Sequence, residues 1–372
     1  MENTSSNHQE IWGPRRAPLD EAIPVTILYI LIFFTGVTGN LCTCFVIARN
    51  PHMRTATNYY LFNLAVSDLL FLVIGLPEEL YLLWSRYPYI FGEMFCVVKG
   101  LVSETCTNAS ILIITAFTVE RYIAICHPLK AATMSKLERA TKIIIGIWIV
   151  AFCSAVPQVI PFEVRTATTD NGTVIPDFTA CDVNQSYVTY SQVALQVSTL
   201  LFFIFPMVLI SVLYIKLGWK LRHSGFRSIQ VECNGDVTDN CPLSKTPRHS
   251  TDAVIKMLVA VVIAFFVCWA PYQAQRLLAI YGPSQNPNDE SLRRAYQVLT
   301  SVSGVFYYLS ATINPILYNI LCSRFREAFK VFHSFIIFRL LIATNPVLYA
   351  IDSANNGIRA LLETAISMEL LS

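Results

Sequence analysis

The chain has 372 residues, of which 54% are apolar and only 14% are charged, and its mean hydropathy is +0.50. This composition is too apolar for an ordinary soluble domain and is typical of a protein that resides in a lipid bilayer. The formal net charge of +2, with basic residues dispersed along the chain, excludes nucleic-acid binding as its main task.

The first segment, residues 1–24, is polar and of mixed charge, so it is expected to be an extracellular tail. It lacks the positive start and apolar core of a cleavable signal peptide, and the first membrane helix is therefore expected to target the chain. Three Asn-X-Ser/Thr sites are predicted to carry glycans on the outer side, at Asn3, Asn171 and Asn184.

Seven apolar stretches follow, each close to the roughly 20 helical residues that cross a bilayer core of about 30 Å. They span residues 25–48, 57–84, 96–126, 143–160, 191–215, 257–274 and 295–322. We therefore predict an all-α membrane protein, a bundle of seven transmembrane helices over residues 25–322. A short amphipathic helix over 323–333 and a cytoplasmic tail over 334–372, whose structure the sequence does not predict, complete the chain.

The orientation of the bundle is predicted by its basic residues, which flank the spans on one side, as Arg49, Lys130, Lys216 and Arg324 do. The positive-inside rule then places the N-terminus outside, in agreement with the glycan sites. A transporter would favour an inverted repeat of hydropathy, which is not seen here. All six histidines lie in loops or tails, which disfavours a membrane hydrolase with a metal site.

Each predicted span carries a short motif or a single diagnostic residue. In chain order these are Gly39-Asn40, Leu64-Ala65-Val66-Ser67-Asp68, Glu120-Arg121-Tyr122, Trp148, Pro206 with Tyr214, Cys268-Trp269-Ala270-Pro271 and Asn314-Pro315-Ile316-Leu317-Tyr318. Together they resemble the rhodopsin-like (class A) G protein-coupled receptors over residues 25–330. The resemblance implies a multi-pass plasma-membrane receptor rather than an enzyme. It also implies that ligand binding outside activates a heterotrimeric G protein inside.

The inner end of the third span carries Glu120 beside Arg121, and we predict an ion pair there, strengthened by partial desolvation. The resemblance implies that opening the sixth helix frees Arg121 for the G protein. The alternative is a static ion pair that only caps the helix. By the same resemblance the activation switches are Glu120, Arg121, Tyr122, Trp269, Pro271, Tyr214, Asn314, Pro315 and Tyr318. Because Thr251 stands where some relatives have glutamate, a hydrogen bond is expected to replace the inter-helix salt bridge and to permit ligand-free activity.

Asp68 lies in the middle of the second span, where an ionised carboxylate must be neutralised or find a cation. The resemblance implies an allosteric sodium ion, which hard oxygen ligands suit. Its ligands would be Asp68, Ser110, Ser310 and Asn314. The alternative is a protonated Asp68 bonded to Asn40 and Asn314, and no other cofactor is expected. The resemblance also implies a disulfide between Cys96 and Cys181.

The outer half of the bundle carries three charges that indicate the ligand. Glu79 lies eleven residues after Asp68, which is about 20° from the same helical face and about 16 Å nearer the outside. Glu104 and Arg276 lie about two turns from Cys96 and Trp269, so two acids and one base are predicted to line one vestibule. Paired carboxylates suit a guanidinium with its planar fork of donors.

Other ligand classes are disfavoured by particular residues. Ser103 stands where an amine receptor of this family has aspartate, and residues 306–308 offer no lysine for a retinal Schiff base. The pattern of Glu79, Glu104, residues 266–272 and 276–278 most resembles receptors for neuromedin U and the invertebrate pyrokinin and CAPA peptides, whose ligands end in Pro-Arg-X-amide. The resemblance implies that Glu79 and Glu104 bind the peptide arginine and that Arg276 bonds a carbonyl or the amidated end. Tyr307 completes the predicted peptide site.

Three alternatives remain open at this point. Receptors for ghrelin-like or neurotensin-like peptides share parts of the pattern. The acids could instead pair only with Arg276 or Lys99 and hold the bundle together. A membrane variant that does not signal, or a transporter, is the alternative of another class.

On the inner side, loops 127–130 and 216–252 are the expected docking surface for the G protein. The resemblance implies the type that activates phospholipase C and releases calcium. The tail carries only scattered hydroxyls, so regulation by arrestin is left open.

Overall fold

The computed structural model describes residues 15–127, 137–168, 173–233, 248–281 and 290–321. Seven long helices occur in these ranges, and each is longer than the apolar stretch that predicted it. They are α1 Leu19–Arg49, α2 Ala56–Trp84, α3 Gly92–Cys126, α4 Leu137–Val159, α5 formed by Val188–Thr199, Leu200–Ile204 and Phe205–Cys233, α6 Arg248–Tyr281 and α7 Glu290–Leu321. In the described ranges, α1 to α5 are long and apolar enough to cross a membrane.

Helix α1 begins at Leu19, so the predicted boundary between the tail and the bundle at residue 24 falls inside the helix. Asp20 and Glu21 lie in its first turn, where carboxylates complement the positive end of the helix dipole. Hydropathy did not indicate this start, because Asp20 and Glu21 in the first turn lower the mean hydropathy before the apolar stretch.

The helices pack side by side as a bundle in which α3 and α7 each contact three others. Helix α3 contacts α2, α4 and α5, while α7 contacts α1, α2 and α6. Gly39 permits the close approach of α1 to α7, because a Cβ there would lie 2.9 Å from the Cβ of Pro315. Next to it, the buried Asn40 donates to the carbonyl of Ala311 at 2.8 Å. The Gly39-Asn40 motif therefore joins α1 to α7.

Helix α5 contains one turn of π-helix, Leu200–Ile204, immediately before Pro206. Proline has no N–H to donate, and a wider turn is a common way to accommodate the lost bond. Just before the wide turn, Thr199 donates to Oε1 of Gln273 on α6 at 3.0 Å. A buried polar contact thus links α5 to α6 near the wide turn.

A two-stranded antiparallel hairpin, β1 Phe162–Thr168 and β2 Val174–Val183, connects α4 to α5. Cys181 of β2 is bonded to Cys96 near the start of α3, which confirms the predicted disulfide. The backbone N–H of Tyr89, in the α2–α3 loop, donates to the Thr179 carbonyl of β2 at 2.9 Å. The hairpin is therefore fixed to the end of the bundle at which α2 ends and α3 begins. These strands were not predicted from the sequence.

Candidate ligand pocket and activation switches

A cavity of about 350 Å³ opens at the end of the bundle that carries the hairpin. Its lining comes from α2, α3, α4, α6 and α7, and from Phe162 and Cys181 of the hairpin. The structure brings all four predicted peptide-binding residues into this one cavity: Glu79, Glu104, Arg276 and Tyr307.

Glu104 and Arg276 form an ion pair across the cavity, with 3.2 Å between Oε1 and the guanidinium Nη2. The same nitrogen donates to Oε1 of Gln158 on α4 at 2.9 Å, and the guanidinium lies 5.3 Å from the centre of the Tyr272 ring. Both charged side chains are nearly buried, since Arg276 is 14% exposed and Glu104 is 13% exposed. The second oxygen of Glu104, Oε2, is buried and has no hydrogen-bond partner in the part of the chain that the structure describes.

A second charged cluster lies between α2 and α3, where Lys99 meets two consecutive glutamates. Its Nζ is 3.0 Å from Oε2 of Glu78 and 3.4 Å from Oε2 of Glu79. The hydroxyl of Tyr89 donates to the other oxygen of Glu78 at 2.8 Å. Burial, and then the hydrogen bond and charge of Glu78, raise the pKa of Tyr89 above its usual value. Tyr89 therefore stays protonated and donates to the carboxylate.

From the sequence, Lys99 was predicted only as an alternative partner for the acids, and Glu78 was not predicted to belong to the site. The sequence did contain an indication that Glu78 belongs to the site. Glu78 and Glu79 lie in the second apolar span and Lys99 lies in the third, and ionisable residues in apolar spans pair with one another. Helical angle alone could not find it, because Glu78 lies about 80° from the Asp68 face, on the opposite side from Glu79.

An aromatic cluster centred on Tyr307 forms the inner part of the pocket. Its ring stacks on Tyr272 with 4.0 Å between ring centres, and it meets Trp269 edge-on at 5.5 Å and Phe71 at 4.6 Å. Its hydroxyl shares a 2.8 Å hydrogen bond with Thr107 of α3. Tyr307 therefore joins the charged pocket to the buried Trp269, one of the predicted switches.

A small cavity of about 20 Å³ lies beneath Trp269. It is lined by the four residues predicted to hold sodium, Asp68, Ser110, Ser310 and Asn314, among others. The volume suits one water-sized particle, which requires about 10–15 Å³. Nδ2 of Asn314 donates to Oδ2 of Asp68 at 3.0 Å, whereas Asn40 bonds to the carbonyls of Gly36 and Ala311 instead. The residues present thus fit a small cation that oxygen atoms hold, and the alternative bond between Asp68 and Asn40 is not formed.

The ion pair predicted between Glu120 and Arg121 is not formed. Oε1 of Glu120 accepts a hydrogen bond of 3.1 Å from the hydroxyl of Tyr60 on α2. Within the described ranges, Arg121 has no carboxylate oxygen within 4.0 Å, its Nε is buried without a hydrogen-bond partner, and its guanidinium lies 5.6 Å from the centre of the Phe117 ring. Successive helical residues point about 100° apart, so the Glu120 side chain can bond to Tyr60 on α2 while the Arg121 side chain lies beside Phe117.

The other predicted switches occupy the inner half of the bundle. The Tyr122 ring lies 6.0 Å from that of His127, and the Tyr214 hydroxyl is buried close to Thr118. Pro271 lies within α6 and Pro315 within α7. The side chains of Thr251 and Tyr318, residues 322–372, and the predicted glycan sites Asn3 and Asn171 lie outside the described residues.

Asn184, the third predicted glycan site, lies between β2 and the short 3-10 helix Gln185–Tyr187. Its Nδ2 donates to Oε2 of Glu163 at 2.8 Å, and its Oδ1 accepts from the Ser186 N–H at 2.8 Å. Glycosylation there stays a prediction.

Residues 39–318 match the family described as 7 transmembrane receptor (rhodopsin family). The chain is 42% identical to the pyrokinin-1 receptor of Drosophila melanogaster, over 88% of this chain and 83% of the relative. It is 40% identical to neuromedin-U receptor 2 of Mus musculus, over 86% of this chain and 76% of the relative. It is 38% identical to neuromedin-U receptor 2 of Homo sapiens, over 86% of this chain and 73% of the relative.

Proposed function

Since this chain belongs to the rhodopsin family of seven-transmembrane receptors, we propose that it binds an amidated neuropeptide of the Pro-Arg-X-amide type. It is a G protein-coupled neuropeptide receptor of the neuromedin U and pyrokinin type, and not an enzyme. One observation carries the finer assignment to a peptide that ends in an arginine motif: Glu79 and Glu104 converge on a single cavity.

The charges that line the cavity leave one carboxylate in excess. Three acids, Glu78, Glu79 and Glu104, face two bases, Lys99 and Arg276. An unbalanced charge in a partly desolvated site is costly. A guanidinium would balance it and could donate to both carboxylates at once.

In this proposal the peptide arginine enters between α2 and α3, towards Glu79 and Glu104. The buried Oε2 of Glu104 has no partner among the described residues and is a ready acceptor for the guanidinium. Arg276, nearby on α6, would donate to a peptide carbonyl or to the amidated end. The stacked rings of Tyr272 and Tyr307 would form an apolar surface for the last side chain.

The effect of ligand binding would be transmitted towards the inner side of the bundle through residues that are already in contact. Arg276 lies over Tyr272, Tyr272 stacks on Tyr307, and Tyr307 touches Trp269 of α6. A ligand that bonds Glu104 and Arg276 would therefore act on α3 and α6 together. The favoured state would expose Arg121 to the G protein, and we propose coupling to the phospholipase C and calcium pathway.

Two further assignments belong to the proposal. Asp68, Ser110, Ser310 and Asn314 would hold a sodium ion, whose charge would balance the Asp68 carboxylate. The N-terminus would lie outside the cell. The Cys96–Cys181 disulfide supports this orientation, because disulfides persist on the oxidising side.

The proposal is tested by calcium release from cells that display the receptor, with surface expression measured by an epitope tag. The panel comprises amidated peptides ending in Pro-Arg-X, ghrelin-like and neurotensin-like peptides, and amines. We expect a response to the Pro-Arg-X amides and a large loss of potency when citrulline replaces the arginine. A stronger response to the ghrelin-like or neurotensin-like peptides would select that class instead.

A further inference from the structure

Lys99 already occupies a position that suits a ligand's cation. Its Nζ lies between two carboxylates, 3.0 Å from Glu78 and 3.4 Å from Glu79, on the wall of the cavity. It is one of the two basic residues that line the cavity, and Arg276 is the other. Lys99 is therefore the cation that any incoming guanidinium meets at Glu79.

The two glutamates that share Lys99 differ sharply in burial. The side chain of Glu78 is 2% exposed, and its second oxygen is bonded to Tyr89. The side chain of Glu79 is 40% exposed and faces the cavity. Breaking the inner pair would strand a buried charge, whereas the outer contact is longer and open to solvent. A ligand can therefore exchange with Lys99 at Glu79 but not at Glu78.

We propose that Lys99 is a built-in competitor for the ligand's cationic group: it pairs with Glu79 in the free receptor and releases Glu79 to the ligand while remaining bound to Glu78. In this role Lys99 sets the affinity and the specificity of the pocket for cationic ligands. The inference rests on the proposed function only in that the ligand presents an arginine.

The inner part of the cluster gives Lys99 a fixed anchor. Tyr89 donates its hydroxyl to Glu78 and its backbone N–H to the Thr179 carbonyl of β2. Glu78 is thus held from the loop side, and Lys99 stays within reach of Glu79 from that anchor. The pair with Glu78 is structural, and the contact with Glu79 is the exchangeable one.

Two variants separate these roles, because they are expected to shift affinity in opposite directions. Glu78→Gln keeps an acceptor for Tyr89 but leaves Lys99 with Glu79 alone. We expect the affinity for a synthetic peptide ending in Pro-Arg-Leu-amide to fall about fivefold. The charge-neutral double variant Glu78→Gln/Lys99→Met frees Glu79, and the affinity for the same peptide is expected to rise roughly five- to tenfold.

The measurement is competition binding on membranes, with the arginine peptide and its citrulline analogue as matched probes. The citrulline peptide carries no charge at that position, so its affinity should change less than about threefold in both variants. Lys99→Arg, which keeps the cation, should remain close to the wild type for both peptides.

The proposal would be overturned if either variant shifted the affinities for the two peptides equally, or if the double variant lost affinity for the arginine peptide. Lys99 would then have only a structural role. Should the double variant fail to reach the surface, Glu78→Gln alone tests the proposal. If Lys99 were purely structural, Glu78→Gln would lower the affinity for the arginine peptide and for the citrulline peptide equally. A failure of the proposed function looks different: the wild-type receptor would then bind the arginine and citrulline peptides equally well.

Discussion

Four carboxylates inside the described bundle each contact a polar or charged partner on another helix. Glu104 shares Arg276, Glu78 and Glu79 share Lys99, and Asp68 accepts from Asn314. The types of these residues were legible in the sequence, because charges in apolar spans are rare and functional. The sequence also indicated Lys99, Arg276 and Asn314 as possible partners, but not which acid meets which base, because a pairing across helices depends on how the helices rotate against one another.

At the scale of one residue, Asp68→Asn tests the proposed sodium site. The amide carries no charge, so it removes the attraction for a cation while preserving size. In the wild type, raising sodium at constant ionic strength should lower agonist affinity roughly fivefold, because linked sites affect each other reciprocally. In Asp68→Asn the dependence should vanish. The measurement is agonist binding in sodium chloride and in choline chloride, and equal curves for the two salts in the wild type would exclude the sodium site.

At the scale of elements, the contact between α2 and α3 replaces the pairing predicted within α3. The hydroxyl of Tyr60 holds Glu120, and Arg121 is left beside Phe117. The Glu120-Arg121-Tyr122 motif was legible in the sequence, but the competing donor on another helix was not. The seven helices were predicted because apolar stretches about 20 residues long have few other uses, whereas the hairpin was missed because it lies between two spans that dominate the hydropathy.

Tyr60→Phe removes the hydroxyl that keeps Glu120 on α2. The freed carboxylate should then turn towards Arg121, whose proposed role is to contact the G protein, so ligand-free signalling should fall about two- to fivefold. Basal inositol phosphate accumulation, normalised to surface expression, measures this effect. In a Glu120→Ala background, Tyr60→Phe should leave ligand-free signalling unchanged. If Tyr60→Phe lowered ligand-free signalling by the same factor in that background, Tyr60 would act through some other contact.

Gly39→Ala tests the close approach of α1 and α7. The new methyl group would lie 2.9 Å from the Cβ of Pro315, so one helix must shift, at a cost of about 1–3 kcal/mol. We expect a lower melting temperature for the solubilised receptor. Gly146→Ala in α4 is the matched control, because its methyl group would meet nothing within 4 Å. Equal melting temperatures for Gly39→Ala and the wild type would contradict the packing described here.

At the scale of the whole molecule, the described bundle places a charged pocket at one end, Trp269 and the small Asp68 cavity beneath it, and Arg121 towards the other end. Tyr307 touches the first two of these regions, as it lines the pocket and packs against Trp269. This order along the bundle was predictable from helical spacing, since the rise per residue gives depth directly. The shared lysine was not, because spacing gives depth and angle but not the reach of a long side chain.

We propose that Glu79 and Glu104 together bind a ligand arginine. This proposal is tested most directly by a cycle that combines Glu79→Gln/Glu104→Gln with replacement of the peptide arginine by citrulline, read as agonist potency. Citrulline should lower potency on the wild type by roughly thirtyfold or more, because it removes the positive charge that would pair with Glu79 and Glu104. On the double variant the same replacement should cost less than about threefold, since the partners of the arginine are gone. An equal loss on both receptors would show that the arginine binds elsewhere and would contradict the account.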